Sequence, residues 1–417
     1  MYHCLVMAES RPAVLSETAA PPLLLRAAGR VRANARLIGL LALGHLIVDV
    51  NQGSLSAVLP FAKSAHGLSY AQVGILVLMA NVTSSIIQPI FGYVADRTSR
   101  RWILPASLLV SGAGIGLTGL AGSYETLLAA IVLMGLGVAA YHPEGYRTAT
   151  GVAGDRKATA LSWFSLGGNV GFALGPLVVT LLIAAFGLGG TLGLLVPSAI
   201  VGLCLVSGLP AMSRAAAREG AIVGASRGAD MPGAMALLLG VAALRSWSTL
   251  GFVTFVPFYY VDYLKADPRI VGVLLFVFLG CGALGTIVAG PLADRWGALA
   301  YVRWIYLAVL PLGVLFLLVD GVLRFVVLGI FGAVLTSSFS VSIVLGQAYL
   351  PRRPGMASGL MVGFAMGTGG LAAAALGGVA DRWGVPAALW ISALLPLAAF
   401  VGARFLPAPR DRAPGIA

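Results

Sequence analysis

The chain has 417 residues, of which 59% are hydrophobic and 10% charged, with a formal net charge of +12. Soluble globular domains carry about 25% charged residues, so a water-exposed fold is excluded and an integral membrane protein is expected. The three cysteines, Cys4, Cys204 and Cys281, are scattered, which speaks against a disulfide framework and against a metal site. No cofactor is expected.

Residues 1–36 form a tail that contains Pro and Arg but lacks the tripartite pattern of a signal peptide. Within it, Leu23 to Arg36 reads either as a short basic amphipathic helix on the membrane or as disordered chain. Twelve apolar segments follow, at 37–61, 72–94, 102–121, 126–152, 158–185, 189–210, 234–261, 270–292, 302–319, 324–348, 356–380 and 386–406. Each is close to the roughly 20 residues that a membrane helix needs. The longest internal polar break, 211–233, contains Arg214, Arg218, Glu219, Arg227, Asp230 and Pro232 and divides the segments six and six. A second short tail covers 407–417. The expected fold is therefore an all-α membrane protein with twelve transmembrane helices in two six-helix bundles, 37–210 and 234–406, joined by the linker. The 55 glycines suit helices that pack closely in lipid.

Charge gives the orientation. With both termini in the cytoplasm, 20 of the 27 Lys and Arg fall in cytoplasmic tails and loops, and five (Lys63, Lys265, Arg269, Arg324, Arg382) in outer loops. The remaining two, Arg147 and Arg245, fall inside spans. This satisfies the positive-inside rule. The basic balance is explained by topology, and no nucleic-acid partner is expected. A multi-pass protein of the inner (cytoplasmic) membrane, in contact with lipid and working as a monomer, is expected.

Ionisable groups inside a bilayer cost about 2.5 kcal/mol or more and face a cavity or a partner. Along segment one, His45 and Asp49 lie about 12 and 18 Å from the cytoplasmic end, four residues apart on one helical face. Glu144 and Arg147 lie roughly 8–12 Å from the cytoplasmic end of segment four, and Arg245 about 15 Å into segment seven. Similar depths on three helices suggest a central polar cavity. Each pair also has a structural reading: His45 with Asp49 as a fixed hydrogen-bonded pair, and Glu144 with Arg147 as a permanent ion pair. Arg245 has no acidic residue nearby on its own segment, so it meets another helix, water or an anion. Asp49 and Glu144 are the candidates for carrying a proton. His45, Gln52, His142, Arg147 and Arg245 are the candidates for contacting a substrate. Pro143, Gly171, Gly175 and Pro176 are candidate points of helix flexing, though Gly-x-x-x-Gly spacing is also what any tight helix contact uses.

The halves repeat each other. Gly92-Tyr93-Val94-Ala95-Asp96-Arg97 ends segment two, and Gly290-Pro291-Leu292-Ala293-Asp294-Arg295 ends segment eight. Ala158-Thr159-Ala160-Leu161 opens segment five, and Ala357-Ser358-Gly359-Leu360 opens segment eleven. Such a repeat puts a substrate path between two bundles. A third copy, Ala380-Asp381-Arg382, falls on the opposite side and reads as coincidence or a decayed repeat.

At these residues the chain resembles the major facilitator superfamily, whose loop signature Gly-x-x-x-Asp-Arg-x-Gly-Arg-Arg appears here from Gly92 through Asp96 and Arg97 to Arg100 and Arg101, with Ser99 in place of the second Gly. The resemblance gives Gly92, Asp96, Arg97, Arg101, Gly290, Asp294 and Arg295 a gating role. His142-Pro143-Glu144-Gly145-Tyr146-Arg147, the run from Gly44 to Asp49, and Phe364 to Gly370 resemble the fosmidomycin resistance branch, which exports drugs by proton exchange. Gly171-x-x-x-Gly175-Pro176 resembles the core of the exporter signature of drug antiporters, with Val179 and Thr180 where two glycines follow in that signature.

The expected function is a proton-coupled efflux antiporter for small anionic or amphipathic drugs such as fosmidomycin-like phosphonates, with the proton gradient as its energy source. An importer or symporter of a small organic anion shares the same features. A membrane enzyme or receptor is a third reading, against which the six-plus-six repeat speaks. ATP-driven transport and hydrolysis lack support, since the chain carries no P-loop, no paired catalytic carboxylates and no nucleophile elbow.

Overall fold

The computed structural model describes residues 34–88, 90–91, 100–153, 157–217, 229–364 and 367–409. Among these the ordered elements are all helical. The first half contains α1 (Ala35–His66), α2 (Tyr70–Asn81, continued by a π turn Val82–Ile86), α3 (Ile103–Leu117), α4 (Tyr124–Val152), α5 (Lys157–Phe186) and α6 (Leu195–Ala217). The second contains α7 (Pro232–Phe258, continued by a π turn Tyr259–Tyr263), α8 (Ile270–Trp296), α9 (Ala298–Leu318), α10 (Gly321–Tyr349), α11 (Pro354–Gly359, a π turn Leu360–Phe364, then Gly369–Trp383) and α12 (Val385–Arg404). Eleven are long and apolar enough to cross a membrane, and Tyr70–Ile86 is a shorter apolar helix. The expected end of segment two at 92–94, residues 1–33 of the tail with most of its amphipathic stretch, and residues 218–228 of the linker lie outside the described residues.

Local chemistry sets the helix ends. Ser69 and Gln72 form a reciprocal capping box at the start of α2, and Ser123 and Thr126 do the same at the start of α4, which satisfies orphan backbone amides. The third Ala-Asp-Arg copy proves to be a shared stop signal. Asp294-Arg295-Trp296-Gly297 ends α8 and Asp381-Arg382-Trp383-Gly384 ends α11, each glycine at φ +84°, a left-handed conformation that side chains resist. The next helix starts at once after each. The sixth helix begins later and ends later than its apolar segment. Leu188–Leu194 form a tighter 3-10 turn and the helix runs on to Ala217, because Ala211, Ala215, Ala216 and Ala217 favour helix without being very apolar.

Packing differs at the two ends of the molecule. Near the termini there are two separate apolar cores. One joins Leu37, Leu41, Leu104, Val138, Val152, Phe164 and Leu205 of the first half. The other joins Met235, Leu238, Tyr301, Leu345 and Ala403 of the second. At the far end a single core runs across both halves, with Leu59, Leu76, Ile131 and Ile183 packed among Phe252, Phe278, Phe331 and Leu389. The halves meet there through small residues. Gly74 of α2 faces the Ala373 carbonyl of α11, Gly377 of α11 faces the Tyr70 carbonyl, and Gly272 of α8 faces the Pro176 carbonyl of α5, each too closely for a Cβ. Large apolar side chains such as Phe186, Leu203 and Val322 point outward, where lipid is their solvent.

Candidate functional site

The first half holds a cluster built on α1, on the side nearer the termini. His45 and Asp49, one turn apart, are both buried, and the His45 Nε2 to Asp49 Oδ2 distance is 3.4 Å. α4 adds His142, whose Nε2 lies 3.2 Å from Asp49 Oδ1. α5 closes over them with Gly168, where a Cβ would come within 2.7 Å of both His45 Nε2 and Asp49 Oδ2. Gly167, Gly171 and Gly175 bring α5 down onto the α1 carbonyls of Ala42, Leu46 and Val50. Gly171 and Gly175 therefore pack α5 against α1, and Pro143 and Pro176 lie inside continuous helices.

The histidine orientations follow from their other nitrogens. His45 Nδ1 is 2.8 Å from the Phe164 carbonyl, and the ring stacks on Phe164 at 4.2 Å with Tyr146 edge-on at 6.0 Å. His142 Nδ1 is 3.0 Å from the Val138 carbonyl. A carbonyl oxygen only accepts, so each Nδ1 carries hydrogen and donates, which leaves each Nε2 facing Asp49 with a lone pair where the ring is neutral and with a hydrogen where it is protonated. With both rings neutral, three acceptors converge: two imidazole lone pairs and a carboxylate. Asp49 Oδ1 is buried without a hydrogen-bond donor. The cluster is satisfied by a cation, whether a proton shared with a histidine or a metal ion.

Glu144, one residue beyond Pro143, is buried, and its Oε2 is 3.9 Å from Arg147 Nη1 while Thr148 Oγ1 donates to its Oε1 at 3.4 Å. The pair is an ion pair at the edge of contact. Arg101, in the turn before α3, joins this group: burial lowers its pKa, the Glu144 charge opposes that, and the like charge of Arg147 adds to it. A basic residue of the loop signature and the α4 pair are thus one electrostatic cluster. Gln52 is half-buried and donates to Ser84 Oγ of α2 at 3.4 Å.

Arg245 is buried in α7. Its Nη2 donates to Ser246 Oγ at 2.9 Å and its guanidinium sits 5.0 Å over the Phe339 ring of α10, while Nε has no hydrogen-bond partner. No ion pair of the described residues includes it, so its cross-helix contacts are aromatic.

The expected gating residues divide. Gly92, Asp96 and Arg97 lie outside the described residues, as does the side chain of Asp294. Gly290 lies in α8 beside open space and Arg295 is exposed in its last turn. At the opposite end, sequence reasoning missed a second set of contacts between the halves. Asp381 accepts from the Tyr70 and Ala71 amides at 2.8 Å each. Asp262 accepts from Tyr70 Oη at 2.7 Å and pairs with Lys63 at 3.2 Å. Also missed were Phe164, whose contribution is a backbone carbonyl, and Asn51, which donates to Ser111 and Ser198 at 3.0 Å and ties α1 to α3 and α6.

The comparisons agree with this architecture. The family model described as Major Facilitator Superfamily matches residues 41–364. The chain is 32% identical to the fosmidomycin resistance protein of Escherichia coli, covering 92% of this chain and 95% of that one. It is 31% identical to an uncharacterized transporter of the same superfamily from Bacillus subtilis, covering 85% and 88%. Among solved structures, a nucleoside transporter superposes with a TM-score of 0.70 at 16% identity, over 88% of this chain and 97% of that one. A bacterial homologue of the human lysosomal transporter Spinster superposes with a TM-score of 0.69 at 16% identity, over 89% and 94%. With twelve apolar helices in two halves and a family match across most of its length, the chain belongs to the Major Facilitator Superfamily of membrane transporters.

Proposed function

We propose that this transporter is a proton-coupled antiporter that exports small anionic or amphipathic compounds, fosmidomycin-like phosphonates among them, across the inner membrane, with both termini in the cytoplasm. The observation that carries the reading is the convergence of His45 Nε2, His142 Nε2 and the Asp49 carboxylate, three acceptors in a buried place that need a cation. A proton supplies it. Glu144, held loosely by Arg147, is the second carboxylate in reach of the same helix, and alternation between a desolvated and an Arg-paired environment loads and releases a proton. Arg245 supplies a buried positive charge in the other half for an anion, and a guanidinium can grip a phosphonate bidentately. If the end bearing the termini is cytoplasmic, the separate cores there and the shared core opposite describe an inward-open state, ready to load substrate from the cell.

Uptake into everted vesicles tests the direction. An antiporter accumulates fosmidomycin when the lumen is acid, and a protonophore abolishes the accumulation. The alternative, proton symport of a small organic anion into the cell, shares the buried charges. It gives proton-driven loss of substrate from the same lumen, and that result overturns export.

A further inference from the structure

We propose that His45, Asp49 and His142 form a binding site for one divalent transition-metal ion of the zinc class. The cysteines are irrelevant to it. The ligands come from α1 and α4, and one atom from each of the three residues lies within 4.8 Å of the others, the one such group found among the described residues.

Four observations support the assignment. The ligand set, two imidazoles and a carboxylate, is one that zinc takes in sites that leave a fourth position open. Each carboxylate oxygen of Asp49 faces one imidazole, Oδ2 at 3.4 Å from His45 Nε2 and Oδ1 at 3.2 Å from His142 Nε2, separations close to the ligand–ligand edge of about 3.3 Å expected of a tetrahedron with bonds of about 2.0–2.1 Å. To share one ion the carboxylate turns so that a single oxygen faces both rings and the His45–His142 edge contracts, and those rings already meet edge-on at 5.0 Å. Each histidine donates its other ring hydrogen to a backbone carbonyl, Phe164 for His45 and Val138 for His142, the outer contact that fixes a metal-binding imidazole in its ligating tautomer. Finally, Asp49 Oδ1 is buried without a donor, so the ion would satisfy an atom that the protein leaves unsatisfied. The fourth position accepts water or an anionic oxygen.

The inference does not rest on proton coupling, because binding is read on purified protein with no gradient. The probes are Co²⁺, followed by its visible d–d absorption, and Zn²⁺, followed by calorimetry, on the full chain in detergent after removal of any polyhistidine tag. We expect one ion per chain, with Co²⁺ absorption of the intensity that low-coordinate nitrogen and oxygen sites give. His142→Gln and Asp49→Asn should each weaken binding by about tenfold or more, at least as much as loss of an outer-shell contact costs. His66→Gln, at the far end of α1, should leave it unchanged. Because Asp49→Asn removes a buried charge, the half-buried His142 serves as the variant that keeps the fold, checked by gel filtration. Absence of a stoichiometric ion, or binding that survives both substitutions, overturns the site. A protein that binds the ion and yet moves no substrate against a pH gradient overturns the antiport reading and leaves the metal site standing.

Discussion

Asp381 in the last turn of α11 accepts the backbone amide of Tyr70, the first residue of α2, at 2.8 Å. A side chain of the second half thereby caps a helix of the first, with Ala71 donating to the other carboxylate oxygen. The arrangement satisfies two orphan amides and places a negative charge at the positive end of the α2 dipole. Asp262 reinforces it through Lys63 and Tyr70. These contacts join the halves at the end away from the termini, so opening at that end has to break them.

Asp381→Ala, which removes both acceptor oxygens, should therefore favour opening at that end. A helix cap contributes about 1 kcal/mol, and on exposed ground the lower part of that range applies. A shift of this size changes a two-state population by up to about fivefold. Labelling of a cysteine placed beside Tyr70 by a membrane-impermeant reagent should accelerate accordingly, while binding of substrate from the other side weakens. Unchanged labelling would show the cap to be ornamental.

The two carboxylates proposed to carry the proton make a second prediction. Asp49→Asn keeps the shape of the cluster but removes the charge that faces His45 and His142. Glu144→Gln likewise leaves Arg147 without its opposite charge. Each should abolish accumulation driven by a pH gradient in everted vesicles while leaving equilibrium binding measurable. Full gradient-driven accumulation by the double variant would remove both residues from the coupling step.

A third prediction concerns the small residues that make the cluster possible. Gly168→Ala sets a methyl against His45 Nε2 and Asp49 Oδ2, whereas Gly171→Ala sets one against the Leu46 backbone. Overpacking of either kind costs about 1–3 kcal/mol, so both should lower the melting temperature. Gly168→Ala should in addition disturb the His45–Asp49 contact and, on the proposed proton coupling, shift the pH profile of transport. Gly171→Ala should lower the rate without moving that profile. Identical profiles for the two variants would leave Gly168 as packing alone.

How much of this was legible follows from the kind of interaction. The apolar helices are visible because lipid demands uninterrupted apolar runs, and the segment whose limits moved furthest, α6, differs where alanines extend a helix without being strongly apolar. His45 and Asp49 are visible together because four residues on a helix share a face. His142 needed the packing of α4 on α1, and its pairing with Asp49 has no sequence spacing to betray it. The role of Phe164 is carried by a backbone carbonyl, which any residue type possesses. Asp381 looked like a stray copy of a loop motif because its partner is the start of a helix some 310 positions earlier, and no local pattern records such a distance.

The last prediction separates anion export from export of any hydrophobic compound. Arg245 is fully enclosed, donates one hydrogen bond to Ser246, lies over Phe339 and has no ion pair among the described residues. A permanent charge left in that state is costly in a low-dielectric interior, and an anionic substrate would offset the cost. Arg245→Lys keeps the charge but loses the planar fork and the stacking on the ring, so it should weaken binding of a phosphonate more than that of a neutral dye. Arg245→Ala should abolish phosphonate accumulation in everted vesicles and spare part of the neutral flux. A mutant in which both substrates fall by the same factor would mean that the guanidinium holds α7 against α10 and selects nothing. A mutant in which neither falls would remove Arg245 from the substrate path and move the search for the anion's partner to Arg147 and Arg101 beside Glu144.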